Sequence, residues 1–223
     1  MVTVRVGYEE ISFTVEKSTL LISSELFKKG LDTLPNTDRL EVIDLPDTKP
    51  RAFEIYLGWL ETGHFYIMEG NDVRENNCGE MLNNDEFWKW DECYKLGHAI
   101  QDCGFQDACI DWLQEKIISE GDMIMLHVPE TVYMIDDQVP AHCQLFVDIA
   151  AYLWDDWKFE EMEEDDYPSE FLMDLLKHVS KKMRHNKVAR EKPEDFCRDI
   201  GCKYHAHVAL NKPCYKKTHP AYK

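Results

Sequence analysis

Two short β-branched runs open the chain, VTVRV at 2–6 and ISFTVEK at 11–17, with only Gly7-Tyr8-Glu9-Glu10 between them. A connection that short joins antiparallel neighbours, so the runs predict a hairpin. Val2, Val4 and Val6 alternate with Thr3 and Arg5, a pattern that buries one face of the first strand. An isolated hairpin is marginal in water and needs a further strand or a helix against its apolar face.

The next segments offer both. STLLISSELFKK reads as a helix with Ser18 as N-cap, Gly30 just past its end, and Leu20, Ser24 and Phe27 on one side. RLEVIDL, at 39–45, is a third strand. Pro50 sits where a helix begins, because its missing N–H costs little there. Phe53, Leu57 and Leu60 form that helix's apolar stripe, Tyr56 and Trp59 lie beside it, and Gly63 stops it. Residues 68 to 86 are rich in Asn, Gly and acid and read as a long exposed loop. Two helices follow. One carries Cys93, Leu96, Ile100 and Cys103 and ends at Gly104; the next carries Phe105, Cys109, Trp112 and Lys116. Residues 1–120 therefore predict a small α+β domain with few strands.

After Gly121 the pattern turns mainly helical. PETVYMIDD reads as a short helix, Pro140 opens a longer one with Leu145, Ile149 and Tyr152, and Pro168-Ser169 start another with Phe171, Leu175 and Val179. The carboxylate-dense run DDWKFEEMEEDD is a solvated surface, since nothing in it fixes ligand geometry. Residues 121–223 thus form a helical C-terminal extension ending in a basic tail.

Charge limits the partners. The formal net charge is −18, which repels duplex nucleic acid from the chain as a whole. Lys177 to Lys223 hold 13 Lys/Arg against 4 Asp/Glu, a balance of +9 that leaves −27 on the remainder. Lys181, Lys182, Arg184 and Lys187 do not alternate with aromatics as a nucleic-acid surface would require. No apolar run is long enough to span a bilayer, and the first residues are not a secretory signal. The expected setting is intracellular, and the 8 cysteines are expected to be mostly reduced.

No nucleophile elbow, phosphate loop or dinucleotide fingerprint occurs, so the chain is not read as an enzyme. Cys93, Cys103 and Cys109 sit in helical stretches and read as small core residues rather than nucleophiles. The sharper constellation is Cys197-x4-Cys202-x2-His205-x-His207-x6-Cys214. Zinc takes four N/S ligands, and five candidates crowd this short stretch, although the spacing fits no standard finger. Cys202, His205, His207 and Cys214 are the best four, with Cys197 as substitute. An H-x-H on a strand would place both imidazoles on one face.

Taken together, VTVRVG, FTVEKSTLL with Ser24 and Phe27, VIDLPDTKPRAFEIYLGWLETGHF and the helix pair from Trp90 to Ser119 resemble the BTB/POZ domain family. Lys17, Leu20, Leu21, Ser24 and Phe27 match its first helix, and 45–65 its LPD–AFE–WL–TG segment. VYMIDDQVPAHCQLFVDIAAYLWDDW, YPSEFLMDLL and CKYHAH extend the likeness to a group of filamentous-fungal BTB proteins. The resemblance implies a BTB-like sheet with surrounding helices and a protein–protein interaction module, sometimes a substrate adaptor on a cullin-type ubiquitin ligase. By that likeness Leu57, Leu60, Phe65 and Tyr66 fall in the partner-binding region. Many BTB dimers use a helix and strand ahead of the first hairpin. The sequence given starts in the hairpin, so a monomer or weak dimer is expected. The alternative function is a small metal-binding regulatory protein working through its Cys/His tail.

Overall fold

In a computed structural model, the chain is described at residues 1–32, 41–67, 84–120, 128–135, 138–160, 162, 167–183 and 191–222. These gather into two compact units: Met1–Cys109 with Pro213–Lys223, and Ile110–Lys212.

The first unit is built on a three-stranded sheet. Strands β1 (Val2–Val6) and β2 (Ile11–Val15) pair antiparallel, Val4 opposite Phe13, as the short connection requires. Strand β3 (Glu41–Leu45) pairs with β1 in parallel, Val4 beside Ile43, giving the order β2-β1-β3. The central strand is the one with strict alternation, and its three valines are fully buried. On its outer face Arg5 reaches Asp44 through Nε and Nη2 at 2.6 and 2.9 Å.

The helix expected after the hairpin is two helices, α1 (Lys17–Leu20) and α2 (Glu25–Asp32). Ser24 makes the break. Its Oγ accepts from the Phe27 N–H at 3.2 Å and donates to the Ile100 carbonyl at 2.6 Å, so it acts as an N-cap. Ser18 therefore is not the cap, and Gly30 lies inside α2 rather than beyond it. Leu20, Ser24 and Phe27 do share the buried side.

Helix α3 (Pro50–Thr62) starts at Pro50 and ends at Gly63, which has φ +72°. Its buried residues are Ala52, Phe53, Tyr56, Trp59 and Leu60; Leu57 is only half-buried. The aromatics Tyr56 and Trp59 form the stripe, not its flank, because they carry more apolar area than Leu57. Helix α4 (Asn84–Ala99) and helix α5 (Cys103–Glu120) follow. The division between them is Asp102, not Gly104: Asp102 Oδ1 accepts from the Phe105 N–H at 3.0 Å and caps α5. Asp102 Oδ2 also takes the Tyr56 hydroxyl at 3.0 Å and the Ser23 hydroxyl. Phe105 stands against Tyr56 and Trp59, with ring centroids 4.9 and 5.2 Å away. The long loop expected at 68–86 lies mostly outside the described residues, and its last three residues already belong to α4.

In the second unit, helix α6 (Val128–Tyr133) packs on helix α7 (Pro140–Leu153), and helix α9 (Ser169–Met183) packs on both. Helix α7 is buried over nearly its whole circumference, as its Leu145, Phe146, Ile149 and Leu153 demand. One-turn helix α8 (Asp156–Glu160) occupies part of the acidic run, the rest of which lies mostly outside the described residues. One-turn helices α10 (Pro193–Phe196) and α11 (Ala206–Ala209) also sit on α7. The final segment holds α12 (Tyr215–Thr218) and a closing 3-10 turn, Pro220–Tyr222. Among the described residues, no helix is long and apolar enough to cross a membrane.

Candidate metal centre

The stretch from Cys202 to Cys214 is held from below by Tyr204. Its ring is buried and stacked on Phe196 at 6.4 Å. Its hydroxyl donates to Asp148 Oδ2 on α7 at 2.7 Å, and Lys203 Nζ reaches the same oxygen at 2.9 Å. Burial works against the charge on Asp148, but the hydrogen bonds from Tyr204, Lys203 and Gln144 outweigh it and hold the carboxyl below its usual value.

On that footing the backbone sets the imidazoles. His205 is the N-cap of α11, with φ −93° and ψ 137°, and His207 lies in its single turn. The two histidines stand on a cap and a helical turn, not on a strand. A cap followed by a helical turn still brings the two rings together, at 5.1 Å between centroids. The chain then doubles back: the Lys212 N–H donates to the His207 carbonyl at 2.9 Å, and Asn211 takes a left-handed φ of +52°. This return, followed by Pro213, presents Cys214 as the N-cap of α12.

Cys202, His205, His207 and Cys214 are thereby brought together, and one ligand atom from each lies within 4.8 Å of all the others. Both histidines and Cys214 are buried, and Cys202 is half-buried. Tetrahedral zinc with bonds of roughly 2.0–2.3 Å sets its ligand atoms roughly 3.3–3.8 Å apart. The 4.8 Å bound on the cluster is about 1 Å wider than that tetrahedral spacing. Its two sulfurs and two nitrogens are a zinc donor set. Cys197, the expected substitute, does not join them. Its thiol turns to the Gln114 carbonyl at 3.8 Å, and burial, then Glu194, push it up to about 11.

One residue of the centre had no signal in the sequence. Asp111, on α5, places Oδ1 2.9 Å from His205 Nε2. With the Nε2 proton committed to that carboxylate, the lone pair of the ring is on Nδ1. Metal-bound histidines are oriented by such carboxylates. Asp111 lies 94 positions upstream in a helix with ordinary periodicity, so spacing gives no hint of it.

The proposed partner face is less coherent. Leu60 is buried, with 2% exposure, and cannot anchor a partner. Phe65 is half-buried against Phe105, 5.6 Å between centroids, and Leu57 is half-buried too. Only Tyr66 is well exposed, at 67%. It borders a cleft of about 230 Å³ with Arg51, Glu54, Ile55, Gly58, His64 and Ile67. Leu60 and Phe65 supply core contacts in a small domain, which leaves Tyr66 as the exposed member of the four.

Burial pushes Cys93 and Cys109 far above the thiol range, with smaller contributions from Glu92 at Cys93 and from Cys93 itself at Cys109, which keeps these two thiols inert. No protein-family model matches the chain, and no curated protein matches it.

Proposed function

We propose that the chain is a zinc-holding protein in which Cys202, His205, His207 and Cys214 form a closed structural centre. The observation that carries this reading is the convergence of two thiols and two imidazoles within 4.8 Å. Four protein ligands fill a tetrahedron and leave no open position for substrate, so the role is structural or regulatory rather than catalytic. Asp111 orients His205, and Tyr204 fixes the segment between the ligands. Bound metal would order residues 202–214, because the energy of binding and that of ordering are shared. The test is metal analysis of purified wild type and of Cys202→Ala combined with His205→Ala. Stoichiometric zinc that disappears in the double variant supports the reading; equal metal content in both refutes it.

A second reading is an interaction module of the BTB/POZ kind, serving as an adaptor on a cullin-type ubiquitin ligase. Exposed Tyr66 beside its cleft favours it. Aromatic residues at pocket edges are common anchors of protein interfaces. Pull-down of a cullin N-terminal domain by wild type and by Tyr66→Ala tests it: capture that weakens in the variant supports the adaptor, and no capture by either removes it.

A further inference from the structure

Helix α9 has two apolar sides. One packs on α6 and α7 through buried Phe171 and Leu175, with the Phe171 ring 5.6 Å from that of Tyr133. The other holds Met173, Leu176 and Met183, which are 52%, 62% and 67% exposed. Exposed Ser180 completes the row. Steps of three, four and three residues keep all four on one side of the helix, and they are the steps by which two helices mesh along a common seam. Single exposed apolar side chains are ordinary, whereas a row of them along one helix is the mark of a contact surface.

The charges beside the row decide what covers it. Glu170, Asp174, Lys177 and Lys181 are spaced four, three and four residues apart, so they form one edge of the same helix. Acid fills the N-terminal half of that edge and base the C-terminal half. Asp174 and Lys177 pair at 2.9 Å at the surface, where water keeps such a pair weak and exchangeable.

This order is complementary to itself. When two copies of one helix lie antiparallel about a two-fold axis, the same edge of each faces the other in reverse. Glu170 then meets Lys181 of the second copy and Asp174 meets Lys177, both about one midpoint between Leu175 and Leu176. Within one residue of that midpoint, Met173 meets Leu176 of the second copy and small Ser169 meets Ser180. A parallel pairing would set acid against acid and base against base. An anionic lipid surface would be repelled by Glu170 and Asp174, since helices that lie on such surfaces carry Lys/Arg along the polar face.

We infer that the exposed side of α9 docks antiparallel on the same side of a second copy of this chain, flanked by Glu170–Lys181 and Asp174–Lys177 pairs between the copies. Each copy offers 15 residues of helix, about 22 Å in length. Two such helices side by side bury less than the roughly 1,200 Å² of stable interfaces, so the dimer is weak and reversible. None of these residues is a metal ligand, and the face is independent of the zinc reading.

Sedimentation equilibrium of the full-length protein from about 1 to 300 µM tests this. Wild type is expected to show a reversible monomer–dimer equilibrium, weakened about tenfold in Leu176→Glu. Two double variants change the edge: Glu170→Lys with Asp174→Lys makes it wholly basic, and Lys177→Glu with Lys181→Glu makes it wholly acidic. Each alone is expected to associate about tenfold more weakly than wild type, and an equal mixture of the two to recover wild-type association. These four positions are exposed or half-buried, so the mixture keeps the test valid if Leu176→Glu unfolds. Wild type that stays monomeric throughout, a dimer unchanged in Leu176→Glu, a mixture no tighter than its parts, or binding to phosphatidylserine vesicles in place of self-association would each overturn the inference.

Discussion

His205 Nε2 and Asp111 Oδ1 are 2.9 Å apart, so an imidazole of the Cys/His cluster is oriented by a carboxylate 94 positions away. If the cluster holds zinc, this pair matters to affinity. Asp111→Ala is expected to weaken zinc binding about 10- to 100-fold, read by competition with a chromophoric chelator. Asp111→Asn keeps an acceptor oxygen and is expected to lose less. Unchanged affinity in Asp111→Ala would mean that the carboxylate has no part in the centre.

Gly63 gives a backbone prediction. It has φ +72°, and a Cβ there would lie 2.8 Å from Tyr222 Cε2, 3.0 Å from His219 Nδ1 and 3.1 Å from Ala221 Cβ. The Tyr222 hydroxyl also donates to the Gly63 carbonyl at 2.9 Å. Gly63→Ala is therefore expected to cost about 2 kcal/mol from left-handed strain and displacement of the last turn. A urea midpoint equal to wild type would contradict this.

Asp102 is the polar hub of the first unit. Asp102→Ala removes the cap of α5 and leaves the Tyr56 and Ser23 hydroxyls without their acceptor. The expected loss is about 3 kcal/mol, the sum of a cap and the buried Tyr56 hydroxyl left unsatisfied, with a smaller part from half-buried Ser23. Chemical denaturation measures it, and a loss within error of zero would show that these hydrogen bonds are replaced.

The residues that were legible in the sequence are those whose signal is local. Val2, Val4 and Val6 announced a strand buried on one face, Pro50 and Gly63 bracketed α3, and Phe171 and Leu175 marked the buried side of α9. Ser18 and Gly104 were read as helix boundaries in place of Ser24 and Asp102, because each of these two caps a helix through partners that only the folded chain supplies. Leu60 and Phe65 looked available to a partner because apolar residues carry no mark of which surface they join. The Cys/His quartet was legible from residue type within one short stretch; its helical cap geometry and Asp111 were not, since both depend on tertiary placement.

Two carboxylates predict opposite pH responses. The Asp148 carboxyl is held low in the folded state, so its contribution is present above the unfolded value of about 3.9 and lost as pH falls through the folded one. Burial raises Asp102, despite hydrogen bonds that oppose the shift, so its contribution is full below about 3.9 and lost as pH rises through its folded value. Asp148→Asn is expected to flatten the acid side of the stability profile. Denaturant unfolding between about pH 3 and pH 7 checks this, and an acid limb unchanged in Asp148→Asn would contradict it.

The central claim is a closed zinc centre at Cys202, His205, His207 and Cys214, and X-ray absorption at the zinc edge of the purified, zinc-loaded protein tests it most directly. The account predicts a four-coordinate shell with two sulfurs at about 2.3 Å and two nitrogens at about 2.0–2.1 Å, with the sulfur shell reduced in Cys214→Ala. A protein that takes up no zinc, or a shell of oxygen and nitrogen alone, would contradict it.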